Sequence, residues 1–481
     1  MGGQSDKEPI LARIVGIETE YGCLVTSNEA APQHGSWPGR VRDYAFKQAK
    51  LGALDQHYRG HEEPPGNGGF LINGGRLYLD MGHLEYSTPE CLGPRDLAAW
   101  EMAGELLVQE TVRNMGAVDE VSFIKNNIDH HTNATFGCHE NYLIRRYSAF
   151  RPGSTEALLS FLATRSIFSG SGRVGVVTDY PTLFEMDGGS EPRFQITQRA
   201  DFIVNDIYQW VQFNRAIINA RDEPLSDFQR FQRLHLLMGD ANMSPFASAL
   251  KVGSTCLVLS CLEMGLLPAN VALLDPVQSI RHVSRDASRK WEVDVVGDRK
   301  TTAMEVQFAF LELAESELRG ADADLDWALV AWRQVLEMLP EPPEHGLGLI
   351  DWATKEWLLK QFLQAEGTDW NDPRLASLDL EYHHICPSRS LHWMVPVSED
   401  LEKFRDDTLA QAEKAVRLPP SNTRAKGRAL AVETARDSQN SGYVINWDGF
   451  SIEGNSYLPM GDPFLTYVKE LRQLLAETHS A

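Results

Sequence analysis

Residues 76–80, Arg-Leu-Tyr-Leu-Asp, alternate strictly between polar and apolar side chains, the pattern of a half-buried strand. Arg76, Tyr78 and Asp80 share one face, Leu77 and Leu79 the other, and Glu85 follows five residues after Asp80. Burying such groups unpaired costs several kcal/mol each, so a strand that loads one face with all three is predicted to line an active site. The segment 13–22, Arg-Ile-Val-Gly-Ile-Glu-Thr-Glu-Tyr-Gly, repeats the device, with Glu18 and Glu20 on one face and Ile17, Thr19 and Tyr21 on the other. Two carboxylates in register repel unless a positive charge lies between them, and a divalent cation is the simplest one. A third strand, 136–144, carries His139 and Glu140 where a core strand would carry Val or Ile.

The charge balance narrows the function. With 45 Lys and Arg against 67 Asp and Glu the chain carries −22, without the basic footprint of a nucleic-acid-binding protein. No apolar run reaches the roughly 18 residues that span a bilayer. The longest, 255–262, stops at Glu263 and reads as a buried helix. Cysteines 23, 91, 138, 256, 261 and 386 form no C-x-x-C pair, which predicts reduced thiols in a cytoplasmic protein. His383 and His384 are adjacent and would face opposite ways on a strand, which argues against a metal site there.

Along the chain, residues 27–70 are irregular, with a short helix expected at 44–54; a stretch of this kind between strands is usually a functional lid or an insertion. A helix is predicted over 94–114, a strand over 121–127 and a helix over 158–168. The glycine-rich 169–175 lacks the Lys-Ser/Thr ending of a P-loop. Arg199 and Arg221 suit bidentate phosphate contacts, with a surface role the alternative for each. Residues 247–417 read as mostly helical, with amphipathic runs at 304–318, 325–338, 350–365 and 399–416. The segment 418–424, Leu-Pro-Pro-Ser-Asn-Thr-Arg, marks a domain break. Carboxylates on separate strands (Glu18, Glu20, Asp80, Glu85, Glu140) with arginines downstream make the inventory of a magnesium–ATP enzyme built on a curved, largely antiparallel sheet.

The segments Gly-Ile-Glu-Thr-Glu-Tyr-Gly (16–22), Gly-Arg-Leu-Tyr-Leu-Asp (75–80), Glu-Tyr-Ser-Thr-Pro-Glu-Cys (85–91) and Gly-Cys-His-Glu-Asn-Tyr-Leu (137–143) resemble the Pup ligase and Pup deamidase/depupylase family. The resemblance extends to Asn-Ala-Arg-Asp-Glu-Pro (219–224), Arg-Leu-His (233–235), Gly-Asp-Ala-Asn-Met (239–243), Pro-Pro-Ser-Asn-Thr-Arg (419–424) and Asp-Pro-Phe (462–464). It implies an α+β, glutamine-synthetase-like catalytic domain over 1–417, with 27–70 as a mobile loop insertion, and a small C-terminal domain over 418–481. It also implies ATP and Mg2+ as cofactors. The partners would be a small Pup-like protein modifier and the target proteins to whose lysines it is joined, with no nucleic acid and no membrane.

Carried over by position, Glu18, Tyr78 and Glu85 would hold magnesium, with Glu20 beside Glu18. Arg76, Thr88 and Trp447 would contact ATP, and Arg221 and His235 join that set through their motifs. Asp80 would be the catalytic carboxylate. The five-residue interval from Asp80 to Glu85, the 27–70 insertion, 169–175 and 194–199 are similar to the deamidase/depupylase branch, whereas Met243-Ser244 and 462–464 look more like the ligase. Leu84 and Ala220 stand where both branches usually have proline and threonine. The expected activity is therefore hydrolysis of an amide on the modifier's C-terminal residue; the alternatives are ligation and a non-catalytic binding module. Arg145, Arg146, Arg230 and Arg233 are candidates for a basic modifier-docking groove.

Overall fold

The computed structural model describes residues 9–26, 35–59, 63–130, 132, 134–175, 193–210, 215–437, 442–452 and 457–479. At its centre is β1 (Ile14–Val25), the predicted two-carboxylate strand. Among the described residues it belongs to an eleven-stranded sheet. On one side of β1 follow β5 (His83–Ser87), β4 (Arg76–Asp80), β3 (Gly68–Leu71) and β2 (Gly52–Leu54). On the other side are β8 (Cys138–Arg145) and the strands Phe231–Leu236, Ala216–Asn219 and Asn205–Tyr208. β6 (Cys91–Leu92) and β7 (Val121–Ile124) pair with opposite ends of β1. Only Asn205–Tyr208 and Ala216–Asn219 run parallel, so the expected α+β fold with a largely antiparallel sheet is present.

The apolar face of β1 explains the layering. Ile17 and Tyr21 pack into one core with Leu77, Leu84 and Tyr86, closed by the helix α2 (Pro94–Asn114) and by Pro245–Glu263. That second helix is long and apolar enough to cross a membrane and is wholly buried, as the run at 255–262 predicted. α2 approaches the sheet where Gly104 meets Tyr86; a Cβ there would lie 2.2 Å from the ring. A second core joins Phe70 and Ile72 of the sheet edge to Ala431, Val432, Ile445, Phe450, Met460 and Leu471 of the last segment.

Three expectations need correction. First, within 27–70, residues 27–34 and 60–62 lie outside the described residues, and much of the rest is regular. The helix starts earlier than predicted, at α1 (Trp37–Asp43), and runs on through Tyr44–Gln48, while 52–54 is strand. Ser36 caps it by accepting from Gly39 N, and Trp37, Val41, Ala45 and Phe46 recur at helical spacing and are buried. Gly52 pairs with Leu71, where a side chain would strike the Phe70 carbonyl. Second, the helical region 247–417 is interrupted by a hairpin, Glu292–Val295 with Arg299–Thr302. Its alternating Val293 and Val295 are buried between exposed Glu292 and Asp294. Third, the helix at 158–168 is two pieces, Ser154–Thr164 and Ser166–Ser169, joined at Arg165.

Candidate active site

Strand register assembles the site. β1 pairs Glu18 with Ser87 and Glu20 with Glu85 on one side, and Glu18 with His139 on the other. β4 and β5 pair Tyr78 with Glu85 and Asp80 with His83 across a two-residue turn. The turn residues Met81 and Gly82 both have positive φ, 44° and 95°, the geometry of the tight hairpin turns that suit strand twist.

Glu20, Asp80 and Glu85 thereby bring carboxylate oxygens within 4.8 Å of one another, and Glu18, His139 and His235 form a neighbouring cluster of the same compactness. Glu18 accepts from Asn141 Nδ2 at 3.1 Å and lies 3.3 Å from His139 Nδ1. His235 Nε2 is buried, has no hydrogen-bond partner among the described residues and lies 3.6 Å from Glu18. The Tyr78 hydroxyl donates to Glu85.

Electrostatics set the two clusters apart. Burial, reinforced by Glu20, Glu18 and Asp80, pushes the Glu85 carboxyl well above its ordinary range. Burial, opposed by Glu18, pushes the His235 imidazole down to about 4. Burial opposes the charged form of Glu18, but His235 and His139 outweigh it and keep this carboxyl well below the usual range. Three carboxylates crowded within 4.8 Å of one another, beside the neighbouring cluster of Glu18 and two imidazoles, have the donor set of a divalent-cation site. Hard oxygen donors match magnesium.

Next to the carboxylates lies a cavity of about 660 Å³. Glu18, Arg76, Tyr78, Thr88, Arg221, His235 and Trp447 all line it, so the residues assigned to the nucleotide through the resemblance meet in one place, without Arg199. Glu20, Asp80 and Glu85 are not among its lining residues and connect to it through Tyr78. Arg76 pairs with Glu63 at 2.8 Å. Thr88 Oγ1 accepts from Ile17 N at 3.0 Å, tying the end of the motif to β1. Arg221 is the most open of the set and faces Glu223 at 3.6 Å.

Two candidate residues are placed differently from expectation. Glu140 is not part of the site: it follows His139 on β8, points to the opposite face and is wholly buried against Arg165 and the Tyr142 hydroxyl. Arg199 is not a surface residue: it is buried, donates to the Phe136 carbonyl at 2.5 Å, and is lowered to about 10 by burial and Arg215. Arg145 and Arg230 do converge, over the Phe231 ring at 5.8 and 4.6 Å. Yet Arg146, Arg230 and Arg233 are paired with Asp222, Asp462 and Glu223, so the expected groove is a mixed-charge surface. His383 contacts Lys355 and Gln198, not a metal cluster.

Sequence reading missed Asn141, Arg59 and Glu63. Asn141 sits two residues beyond His139 on the same face of β8, a parity that could have found it. Arg59 and Glu63 line the cavity from within the irregular stretch, where no periodicity points to them.

The family model described as Pup-ligase protein matches residues 13–451. The chain belongs to the Pup-ligase family. It is 33% identical to a Pup–protein ligase of Acidimicrobium ferrooxidans, over 97% of this chain and 99% of that protein. It is equally 33% identical to a depupylase of Acidothermus cellulolyticus, over 87% of this chain and 88% of that one. A Pup deamidase/depupylase of Mycolicibacterium smegmatis is 31% identical, covering 98% of both. Among solved structures, the complex of the prokaryotic ubiquitin-like protein Pup with its ligase PafA aligns at TM-score 0.80 with 27% identity, over 99% of this chain and 93% of that one. PafA in complex with ADP aligns at 0.73 with 28% identity, over 95% of this chain and 97% of that one. Family members thus carry the names of enzymes that make the bond and of enzymes that break it.

Proposed function

We propose that this protein is an ATP- and magnesium-dependent amide hydrolase acting on the C-terminal residue of a Pup-like modifier. The bond is a glutamine carboxamide or the isopeptide to a target lysine. The observation that carries the reading is Asp80, placed within 4.8 Å of Glu20 and Glu85 at the end of a two-residue turn, with the interval to Glu85 that the hydrolase branch has. In this reading Glu18, Glu20, Tyr78 and Glu85 hold magnesium. Arg76, Thr88, Arg221, His235 and Trp447 hold the nucleotide in the adjoining cavity, as the ADP complex of PafA supports. When bound, magnesium supplies charge neutralisation and polarisation of oxygen. Asp80 either takes a proton from an attacking water and passes it to the leaving amine, or forms a mixed anhydride with the amide carbonyl while the amine leaves with a proton from water. In the second case a second water then hydrolyses the anhydride and restores the carboxylate. Glu20, Glu85 and Tyr78 hold Asp80's surroundings rigid through the β1–β5–β4 register, so the carboxylate meets the amide in one orientation.

Purified protein given ATP, magnesium and a modifier–protein conjugate is expected to release free target, and Asp80→Asn is expected to abolish release while still binding nucleotide. Unchanged release by that variant would remove Asp80 from the reaction. The likeness to PafA supports a second reading, ligation through a phosphorylated glutamate of the modifier. Conjugate accumulating from modifier, lysine-bearing protein and stoichiometric ATP would establish it in place of hydrolysis. Nucleotide and modifier binding without turnover in either direction would leave a binding module.

A further inference from the structure

Trp447 is the tip of a hairpin: Asn446 pairs with Gly449, leaving Trp447 and Asp448 as the turn between Tyr443–Asn446 and Gly449–Ile452. Hairpin tips are where a chain is least constrained, so a side chain that must meet a ligand from such a place needs external support. Here the support comes from the sheet. Glu90, two residues after Thr88, is a buried carboxylate bracketed by two buried guanidiniums. Arg428 takes both of its oxygens, and Arg424 Nε donates to one of them at 2.6 Å. Arg428 then reaches Trp447 twice, donating to its carbonyl at 2.9 Å and lying 4.6 Å from its ring centre. Phe70 of β3 meets the same indole edge to face at 5.0 Å, and a further Arg428 N–H is spent on the Gly74 carbonyl at 2.9 Å. Arg424 also donates to the Met460 carbonyl at 3.0 Å, and the Thr423 hydroxyl to the Glu90 carbonyl at 2.9 Å. The indole is thus held by Arg428 and Phe70, yet still lines the cavity, as do Glu90 and Arg424 themselves.

We infer that Glu90 and Arg428 are positioning residues for nucleotide binding: the Glu90–Arg428 pair docks the Trp447 hairpin on the catalytic sheet and aims the indole into the cavity. The inference rests on the reading of that cavity as the nucleotide site. Removing the Glu90 charge leaves both arginines without their shared partner. Replacing Arg428 by lysine keeps one charge but loses the fork that spans Glu90 and the Trp447 carbonyl, along with the flat stack on the ring.

The test titrates the full chain with MgADP and measures turnover against ATP concentration, for wild type, Glu90→Gln, Arg428→Lys, Trp447→Ala and each double with Trp447→Ala. Each positioning variant is expected to weaken MgADP binding and raise KM for ATP about tenfold, the size of a lost stack plus one hydrogen bond. kcat at saturating ATP is expected to stay within about twofold, since the chemistry lies on other strands. In the Trp447→Ala background the positioning substitutions are expected to add nothing, because their effect runs through the indole. MgADP binding by wild type with unaltered affinity in both variants, or effects that add to Trp447→Ala, would overturn the inference. If Glu90→Gln does not fold, Arg428→Lys decides. No MgADP binding by the wild-type chain would overturn the nucleotide reading itself, and this inference with it.

Discussion

Replacing Glu85 by glutamine keeps its shape and its contact with the Tyr78 hydroxyl, but removes one of three carboxylates that lie within 4.8 Å of one another. In metal-free protein, burial and the neighbouring Glu20, Glu18 and Asp80 hold the Glu85 carboxyl well above its ordinary value of 4.5. The folded state therefore keeps a proton that the unfolded chain releases. Stability is unaffected below that value and falls by about 1.4 kcal/mol for each pH unit above it, until the folded-state carboxyl also ionises. Two and a half pH units of that slope limit the loss at pH 7 to about 3.5 kcal/mol. That is close to the ~3 kcal/mol of direct repulsion expected for one pair at this separation in a medium of effective dielectric about 20. For a chain of 481 residues this corresponds to about 3 °C in Tm. Thermal unfolding in chelator from pH 5 to 8 is thus expected to show Glu85→Gln more stable than wild type, with a gap that widens as pH rises. Adding magnesium should reverse the order, because only the wild type retains the full ligand set and gains stability from binding. A variant less stable than wild type in chelator at pH 7, or one with an undiminished magnesium response, would refute the reasoning.

Glu140→Gln should behave oppositely: with Arg165 left uncompensated in the core, urea unfolding should show a loss of about 3–5 kcal/mol, while the magnesium-induced rise in Tm persists. Gly104→Ala should cost about 1–3 kcal/mol in the same assay, since its methyl meets the Tyr86 ring with helix and sheet both fixed. Its two arginines, outweighing burial, hold Glu90 down at about 2 from 4.5, so its contribution is whole above pH 4.5 and lost as pH falls toward 2. Acid unfolding should accordingly be less steep in Glu90→Gln than in wild type over that window, by about 3 kcal/mol in total.

The elements themselves were legible wherever one face is apolar and the other is not. Period-two alternation marked β1 and β4, and helical spacing marked α2 and the runs ending at 318, 338, 366 and 415. The first helix was placed too late although the signals of its start are present: Ser36 before Trp-Pro, then apolar residues recurring through Phe46. Surrounding glycines and prolines masked them. What alternation cannot supply is register. His139 and Glu140 are neighbours in the chain, and only the pairing of Glu18 with His139 decides which of them meets Glu18 and His235. The same holds for His235, aligned with Asn141 across the next pair of strands. Trp447 was named through resemblance alone, for no local pattern tells a hairpin tip over a cavity from one in solvent.

The interval between Asp80 and Glu85 acquires a physical meaning from the hairpin. Tyr78 lies opposite Glu85 and Asp80 opposite His83, so the two residues between strands, Met81 and Gly82, are the whole of the turn. One residue added there could be taken up as a three-residue loop without disturbing either pair. Tyr78 would still donate to Glu85, and the cluster around Glu18 and Glu20 would remain as it is. The change would fall on the backbone that leaves Asp80, next to the carboxylate that meets the amide. An insertion in this turn would therefore leave the Tyr78–Glu85 pairing and the neighbouring cavity intact while changing only the backbone that leaves Asp80. The chain is 33% identical both to a ligase and to a depupylase, so overall identity does not separate the two activities and the turn is the place to test them.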